Sequence, residues 1–167
     1  MNGKSIIHPI ASRQAGLRLL QTSSSLNMPV KAGDKLPSVD LFDGTQDNKV
    51  NTGADLSKGK TVIFGVPGVF TPTCSKDHVP GFLDLVDDLK AKGVDNIACV
   101  SINDPFVIAA WGKCQDHGNE IRFLADTCGA FTKEFDLAFD LTAVLGNVRC
   151  KRFALVAEDG VVKGVPS

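Results

Sequence analysis

Short apolar runs separated by turn residues indicate that much of the chain forms buried strands. The runs at 61–66 (TVIFGV), 96–102 (NIACVSI) and 121–125 (IRFLA) are five to seven residues long and rich in β-branched or bulky side chains. Such continuous apolar runs are typical of strands that are buried on both faces of a sheet. We therefore predict three central strands at these positions.

Apolar residues at helical spacing predict helices between and after these strands. They cover 82–89, 104–117 and 131–139, and the second helix begins with Asp104-Pro105, a favourable helix start. The region 151–165 is predicted to form two strands joined by a Glu-Asp-Gly turn. By contrast, residues 28–60 are rich in turn residues around short apolar pieces, and no regular element is predicted there.

This order of elements predicts an α/β fold with a central mixed sheet flanked by helices. A thioredoxin-like arrangement suits the order, and such an arrangement closes with a helix after the terminal hairpin. The chain ends at Ser167, so we expect the final helix to be missing. One face of the sheet would then expose apolar area.

The first 27 residues differ in composition from the rest. They contain Lys4, Arg13 and Arg18 and many serines, and the first acidic residue is Asp34. A basic, serine-rich and acid-free segment is typical of an organelle transit peptide. We therefore predict a disordered mitochondrial presequence over 1–27 and a single domain over 28–167. A tail without function is the alternative, and a form that starts at Met28 would be cytoplasmic.

Composition argues against several classes of partner. Charged residues make up 22% of the chain and the net charge is −1, which gives no electrostatic reason to expect nucleic acid or a membrane surface as partner. The five cysteines are widely spread and form no CxxC pair, so we expect no structural zinc and no other metal site. Free thiols in a reducing compartment fit this pattern better than a disulfide scaffold.

The stretch GVPGVFTPTCSKDHVPGF, residues 65–82, carries the clearest chemistry. Cys74 follows a strand and lies near the start of the next helix, where unpaired backbone N–H groups favour a thiolate. The Thr71 hydroxyl can both donate and accept a hydrogen bond, and Pro67 stiffens the loop. These features suit attack of a thiolate on the weak O–O bond of a peroxide.

His78 offers a second interpretation of the same stretch. It lies one helical turn after Cys74, so a Cys-His pair of hydrolase type is conceivable, with His78 as the base. The alternative is a structural histidine that is hydrogen-bonded beneath the loop. A thioredoxin-type disulfide reductase is disfavoured because Ser75-Lys76-Asp77 supplies no second thiol.

The same stretch resembles the peroxidatic motif of the peroxiredoxins, specifically the peroxiredoxin-5 type (atypical two-cysteine). The similarity continues through 101–112, 124–137 and 146–165. The resemblance implies a thioredoxin-like fold and places Cys74 as the peroxidatic cysteine, with Thr71 and Pro67 shaping the peroxide pocket. It further implies that the arginine in CKRF, Arg152, holds the thiolate and the leaving oxygen.

The resemblance also implies an activity. The chain is expected to be a thiol peroxidase that reduces hydrogen peroxide and alkyl hydroperoxides, with peroxynitrite as a further candidate. A cysteine sulfenic acid forms on the way, and thioredoxin or a small thiol regenerates the enzyme. No flavin, haem or metal cofactor is implied, and a homodimer is an expected assembly.

The sequence departs from the family pattern at the resolving cysteine, because no residue matches that position. An incomplete sequence, a shortened isoform and a one-cysteine enzyme are the three explanations. Cys150 is a candidate resolving residue because it lies two positions before Arg152, on the same face of a strand. Cys99 is predicted to be an inert core residue, and no chemistry is assigned to the two remaining thiols. A non-catalytic isoform that acts as a redox sensor or binding protein is the alternative function.

Overall fold

A computed structural model describes residues 29–165 of the chain. The predicted presequence, 1–27, lies outside the described residues, as do Met28, Pro166 and Ser167. The strands are β1 (Asp40–Asp43), β2 (Lys49–Asn51), β3 (Lys60–Gly65), β4 (Asn96–Ser101), β5 (Arg122–Ala125), β6 (Ala138–Asp140), β7 (Val148–Cys150), β8 (Phe153–Glu158) and β9 (Val161–Gly164). The helices are α1 (Cys74–His78, a π-helical turn), α2 (Val79–Asp84), α3 (Val86–Ala91), α4 (Pro105–Gln115), α5 (Ala130–Glu134) and α6 (Thr142–Leu145). None of the helices in this part of the chain is long and apolar enough to cross a membrane.

Seven strands form one mixed sheet in the order β2-β1-β5-β4-β3-β8-β9. The central strands β3, β4 and β5 are parallel, and β8 and β1 flank them in the antiparallel direction. Parallel neighbours require crossover connections, which α1 to α3 supply between β3 and β4, and α4 between β4 and β5. The carboxyl ends of β3, β4 and β5 therefore meet at one edge of the sheet. The predicted α/β fold with a mixed sheet and flanking helices is confirmed.

The sheet separates two hydrophobic clusters, because successive side chains of a strand point to opposite faces. β3 contributes Val62 and Phe64 to one cluster and Ile63 to the other. The first cluster also contains Cys74 and the fully buried Trp111 of α4, and we call it the Cys74-side core. The opposite core is closed by α5 and by the segment that precedes β1. On the Cys74-side face of β8, Ala154 and Val156 are only partly buried.

The strongest sequence patterns correspond to observed elements. The runs 61–66, 96–102 and 121–125 form β3, β4 and β5, and the Asp104-Pro105 start is correct for α4. The Asp104 side chain accepts a hydrogen bond from Val107 N at 2.8 Å, so it caps this helix. The terminal hairpin is β8–β9, with Asp159 in the left-handed conformation that its turn requires.

Three expectations need correction. The helix predicted over 131–139 ends at Glu134, since Asp136 adopts a φ of 51° and residues 138–140 then pair with β7. The helix predicted over 82–89 is broken at Leu85, whose side chain is exposed. The turn-rich region 28–60 contains two short strands, β1 and β2.

Candidate active site

The chain leaves the carboxyl end of β3 in a tight loop that leads to Cys74. Gly65 ends the strand against the ring of Phe153, and a Cβ at this position would overlap that ring. Only glycine therefore fits where β3 and β8 approach each other. After Gly65, the backbone N–H of Val66 donates to Val100 O at 3.1 Å and ties the beginning of the loop to β4. We call residues 66–73 the Cys74 loop.

Internal contacts hold the Cys74 loop in shape. The Thr71 hydroxyl donates to Gly68 O at 2.6 Å, which leaves the oxygen lone pairs of Thr71 available as acceptors. A Cβ on Gly68 would lie 2.8 Å from Thr71 Cγ2 and 3.2 Å from Leu145 Cδ1, so the loop is packed closely there. Phe70 adopts a φ of 59°, an unfavourable left-handed conformation for this residue, and 56% of its side chain is exposed. Pro67 lies in the same loop and restricts its backbone.

Cys74 lies in the first turn of the helical segment, which begins at Pro72. Its side chain is buried, with 1% exposed. Arg152, which directly precedes β8, places Nη2 3.6 Å from Cys74 Sγ and donates to it. A guanidinium and the free amides of a first helical turn both stabilise a thiolate. The arrangement therefore suits a sulfur nucleophile with a cation beside it.

The turn that carries Cys74 is fastened to α4. The indole N–H of Trp111 donates to Ser75 Oγ at 3.0 Å. Trp111 is fully buried, and its ring meets that of Phe123 edge to face at 5.6 Å. Sequence analysis missed this contact, because Trp111 appeared there only as a residue of a predicted helix. No local pattern indicates a partner 36 residues away.

His78 is packed between aromatic rings rather than held by a hydrogen bond. Its ring meets Phe64 and Phe82 edge to face, at 5.4 and 5.5 Å. Its Nδ1 atom is buried and has no hydrogen-bond partner among residues 29–165. Burial, together with the positive charge of Arg152, lowers the pKa of His78 to about 4. The packing of His78 between aromatic rings supports a structural role for this residue. Its Nδ1 atom, however, does not form the hydrogen bond that was expected, among residues 29–165.

The same observations count against a Cys-His hydrolytic pair. A histidine with a pKa of about 4 is neutral at neutral pH and is a weak base there. Within the described residues no hydrogen bond joins His78 to Cys74, and the sulfur is instead contacted by Arg152. Among residues 29–165, His78 is therefore neither bonded to the sulfur nor basic enough to serve as the general base of such a pair.

Cys150 lies on the other side of the sheet from Cys74. Its thiol is fully buried in the opposite core and donates to Val66 O at 3.1 Å. Burial, with a smaller contribution from the negative charge of Asp126, raises the pKa of Cys150 to about 12, so the thiol stays protonated. A protonated and enclosed thiol is a poor resolving nucleophile.

The remaining cysteines fall into two groups. Cys99 of β4 is fully buried in the Cys74-side core, and burial raises its pKa well above the ordinary value. Cys114 and Cys128 are exposed. The structure thus brings Arg152 to Cys74, whose loop contains Thr71, and it encloses the candidate resolving thiol elsewhere.

Comparison with known proteins identifies the family. The family model described as Redoxin matches residues 31–165. Peroxiredoxin-2C of Oryza sativa subsp. japonica is 48% identical over 134 residues, which cover 78% of this chain and 83% of the relative. The crystal structure of peroxiredoxin 5 from Alvinella pompejana superposes with a TM-score of 0.77 at 35% identity, over 83% of this chain and 90% of that chain.

The chain is a peroxiredoxin of the peroxiredoxin-5 type. It is accordingly a thiol peroxidase, an antioxidant oxidoreductase with a thioredoxin-like fold. Another peroxiredoxin, chloroplastic peroxiredoxin-2E of Arabidopsis thaliana, is 45% identical over 152 residues, which cover 85% of this chain and 65% of the relative. The predicted family and enzyme class are confirmed.

Proposed function

We propose that Cys74 is the peroxidatic nucleophile of this peroxiredoxin and that Arg152 is its electrostatic partner. The observation that carries the proposal is the 3.6 Å contact between Arg152 Nη2 and the buried Cys74 Sγ. The substrates are hydrogen peroxide and alkyl hydroperoxides, with peroxynitrite as a further member of the same class. All of them offer a polarisable O–O bond and a small oxyanion as leaving group.

The reaction begins with attack of the Cys74 thiolate on one peroxide oxygen. An S–O bond forms and the O–O bond breaks; the departing oxygen takes up a proton from solvent to leave as water or alcohol, whereas peroxynitrite releases nitrite. Cys74 is oxidised to a sulfenic acid by two electrons, and the peroxide is reduced by the same two. Negative charge moves from sulfur to the departing oxygen, so a cation beside both atoms stabilises the transition state. The contact of Arg152 with Cys74 Sγ supports Arg152 as the source of that charge, and its planar fork can contact both atoms.

Thr71 and Pro67 orient the substrate. The Thr71 hydroxyl proton is engaged with Gly68 O, so its oxygen can accept a hydrogen bond from the protonated end of a peroxide. Pro67 limits movement of the loop, which reduces reorganisation during the reaction. Thr71 and Pro67 therefore fix the position of the substrate, whereas Arg152 stabilises negative charge.

An external thiol completes the cycle. The sulfenic acid condenses with a thiol of thioredoxin to a mixed disulfide and releases water. The second thioredoxin thiol then displaces Cys74, and thioredoxin leaves as its disulfide. Burial and a pKa of about 12 argue against Cys150 as an internal resolving residue. We therefore expect Cys150→Ser to retain turnover with thioredoxin.

A homodimer and organelle targeting complete the proposal. Phe70 exposes 56% of its side chain beside Thr71, and Val144 exposes 74% next to Leu145, which supports a protein contact near the site. Sedimentation of the purified chain tests the dimer.

For residues 1–27, the basic and acid-free composition supports import into mitochondria. Because one relative is chloroplastic, the test is a fluorescent fusion of this segment, scored for both organelles against a fusion that starts at Met28.

The intact mass of the purified chain after one equivalent of hydrogen peroxide tests the proposal. We expect rapid addition of one oxygen in the wild type and none in Cys74→Ser. Cys128→Ser removes an exposed thiol elsewhere and is the matched control, which should react like the wild type. Arg152→Gln should slow the reaction by about 100- to 1,000-fold. If Cys74→Ser gains oxygen as fast as the wild type, or if the wild type reacts no faster than a free thiol, the proposal fails and a non-catalytic role is favoured.

A further inference from the structure

Arg149 of β7 joins two segments that are distant in sequence. Its Nη1 donates to Ile102 O at 3.2 Å, and its Nη2 donates to Leu145 O at 3.3 Å. Its Nε donates to Asn147 Oδ1 at 2.6 Å. With the amide orientation that satisfies both polar atoms of Asn103, the oxygen of that amide also accepts from Nη1, at 3.0 Å. All three guanidinium nitrogens of Arg149 thus donate to uncharged oxygen acceptors.

The Arg149 guanidinium fixes the relative positions of the groups that it contacts. Within residues 29–165 no carboxylate forms an ion pair with Arg149. A guanidinium is planar and directs its donors at fixed angles, so it fixes the relative position of the carbonyls that it contacts. Here it joins Ile102, the residue directly after β4, to Leu145 at the end of α6. Since α6 has only four residues, it depends on such outside contacts for its position.

The position of α6 is transmitted to the Cys74 loop. Leu145 Cδ1 lies 3.2 Å from the place that a Cβ on Gly68 would occupy, and Thr71 Cγ2 lies 2.8 Å from it. Leu145 is therefore packed against the backbone of the loop, on the side where Thr71 lies. The Thr71 hydroxyl in turn donates to the carbonyl of the same Gly68. A shift of Leu145 would move the loop that presents Thr71.

The neighbours of Arg149 hold the two ends of this loop. The Cys150 thiol donates to Val66 O, where the loop begins. Arg152 donates to Cys74 Sγ, just after the loop ends. The segment 149–152 therefore contacts the beginning and the end of the loop directly, and it reaches the middle through Leu145.

We propose that Arg149 is a positioning residue for peroxide reduction, which acts on the Cys74 loop through Leu145. It touches neither Cys74 nor the substrate. The inference rests on the proposed function, because it assigns a role in the reaction at Cys74. Loss of Arg149 releases α6 from β4, removes the support of Leu145 from Gly68, and leaves the chemistry of Arg152 and Cys74 intact but poorly aligned.

The first test compares rate constants for oxidation of Cys74 by hydrogen peroxide. Arg149→Ala should lower the rate constant by about 10- to 100-fold, the range expected when reacting groups are misplaced by a fraction of an ångström to an ångström. Arg149→Lys keeps a cation that can reach carbonyl oxygens, and we expect it to recover most of the loss. The matched control is Arg122→Ala, because Arg122 is also half-exposed but pairs with Asp43 at the amino end of β5, whereas the Cys74 loop follows the carboxyl end of β3. It should react within about twofold of the wild type.

The second test asks whether the effect passes through Leu145. Leu145→Ala should itself slow oxidation, and the double variant with Arg149→Ala should be no slower than the worse single variant. Circular dichroism at the assay temperature establishes that each variant is folded. A folded Arg149→Ala protein that reacts at the wild-type rate overturns the inference, as do losses that multiply in the double variant. A wild-type protein that does not react rejects the proposed function instead.

Discussion

Protonation of His78 should destabilise this peroxiredoxin between about pH 6.5 and about pH 4. Burial and the charge of Arg152 lower the pKa of His78 from 6.5 to about 4 in the folded chain. In the unfolded chain the imidazole regains its ordinary pKa, so the unfolded state binds a proton in this window and the folded state does not. The stability contribution is therefore fully present above about pH 6.5 and is lost as the pH falls towards about 4.

The size of the effect follows from the pKa difference. The interval from 6.5 to about 4 corresponds to about 3 kcal/mol when titration is complete. At about pH 5 the folded state is still neutral and the unfolded state is protonated, so about 2 kcal/mol is lost. The ring is partly accessible to solvent, and screening reduces the expected loss to about 1–2 kcal/mol.

The variant for this test is His78→Phe. Phenylalanine keeps a ring against Phe64 and Phe82, cannot take up a proton, and removes the unpartnered Nδ1 atom. Urea unfolding of both proteins across the window gives the free energy of unfolding at each pH. Carboxylates titrate in both proteins and cancel in the difference. We expect the wild type to lose about 1–2 kcal/mol relative to His78→Phe between about pH 7 and about pH 5.

Two outcomes would count against this reasoning. A difference between the two proteins that does not change with pH would show that His78 titrates alike in both states. His78→Gln repeats the comparison if phenylalanine does not fit. In addition, Arg152→Gln removes the charge that opposes protonation of His78. The pKa of His78 in the folded chain should then rise towards its ordinary value, so the pH range over which stability is lost becomes narrower. If the window is unchanged in Arg152→Gln, desolvation alone lowers the pKa.

Three further predictions concern stability and use thermal or urea unfolding. Gly65→Ala should cost about 1–3 kcal/mol, because the added methyl group overlaps the Phe153 ring; full stability would mean that β3 and β8 can separate at this point. Phe70→Gly should be about 1 kcal/mol more stable than Phe70→Ala, because both variants remove the ring but only glycine suits a φ of 59°. Equal stabilities of the two variants would contradict a strained backbone at Phe70. Asp126→Ala should lower the free energy of unfolding by at least about 2 kcal/mol, because the buried carboxylate accepts hydrogen bonds from Thr132 N at 2.9 Å and Thr132 Oγ1 at 2.7 Å. If Asp126→Ala loses less stability than Asp126→Asn, this role of the carboxylate is contradicted.

The parts of the fold that sequence patterns predict are those with long, fully buried elements. β3 and β4 are six residues each with nearly every side chain buried, so their apolar runs are unmistakable. β2 and β6 have three residues each, and in β6 no side chain is fully buried. Such strands carry no periodicity to detect. They form because a neighbouring strand is in place to pair with them.

The site shows the same division between local and distant information. Thr71 and Cys74 are close in sequence, so the motif alone predicts that they act together. Arg152 lies 78 residues from Cys74, and only the family resemblance connected the two before the structure was known. The expectation that His78 lies directly above Cys74 assumed an ordinary α-helix. The segment is instead a π-helical turn, in which the Val79 N–H donates to Cys74 O, five residues back, so the side chains are no longer aligned at a spacing of four.

The contact between Trp111 and Ser75 should make the oxidation of Cys74 detectable by fluorescence. The chain has one tryptophan, and its indole N–H is bonded to the residue that follows Cys74. Indole emission responds to hydrogen bonding and to water, so any displacement of the first helical turn should change the fluorescence of the whole protein. Trp111 should thus act as a built-in optical reporter of oxidation at Cys74, with no competing tryptophan signal. Stopped-flow fluorescence after mixing with hydrogen peroxide tests this expectation without a label.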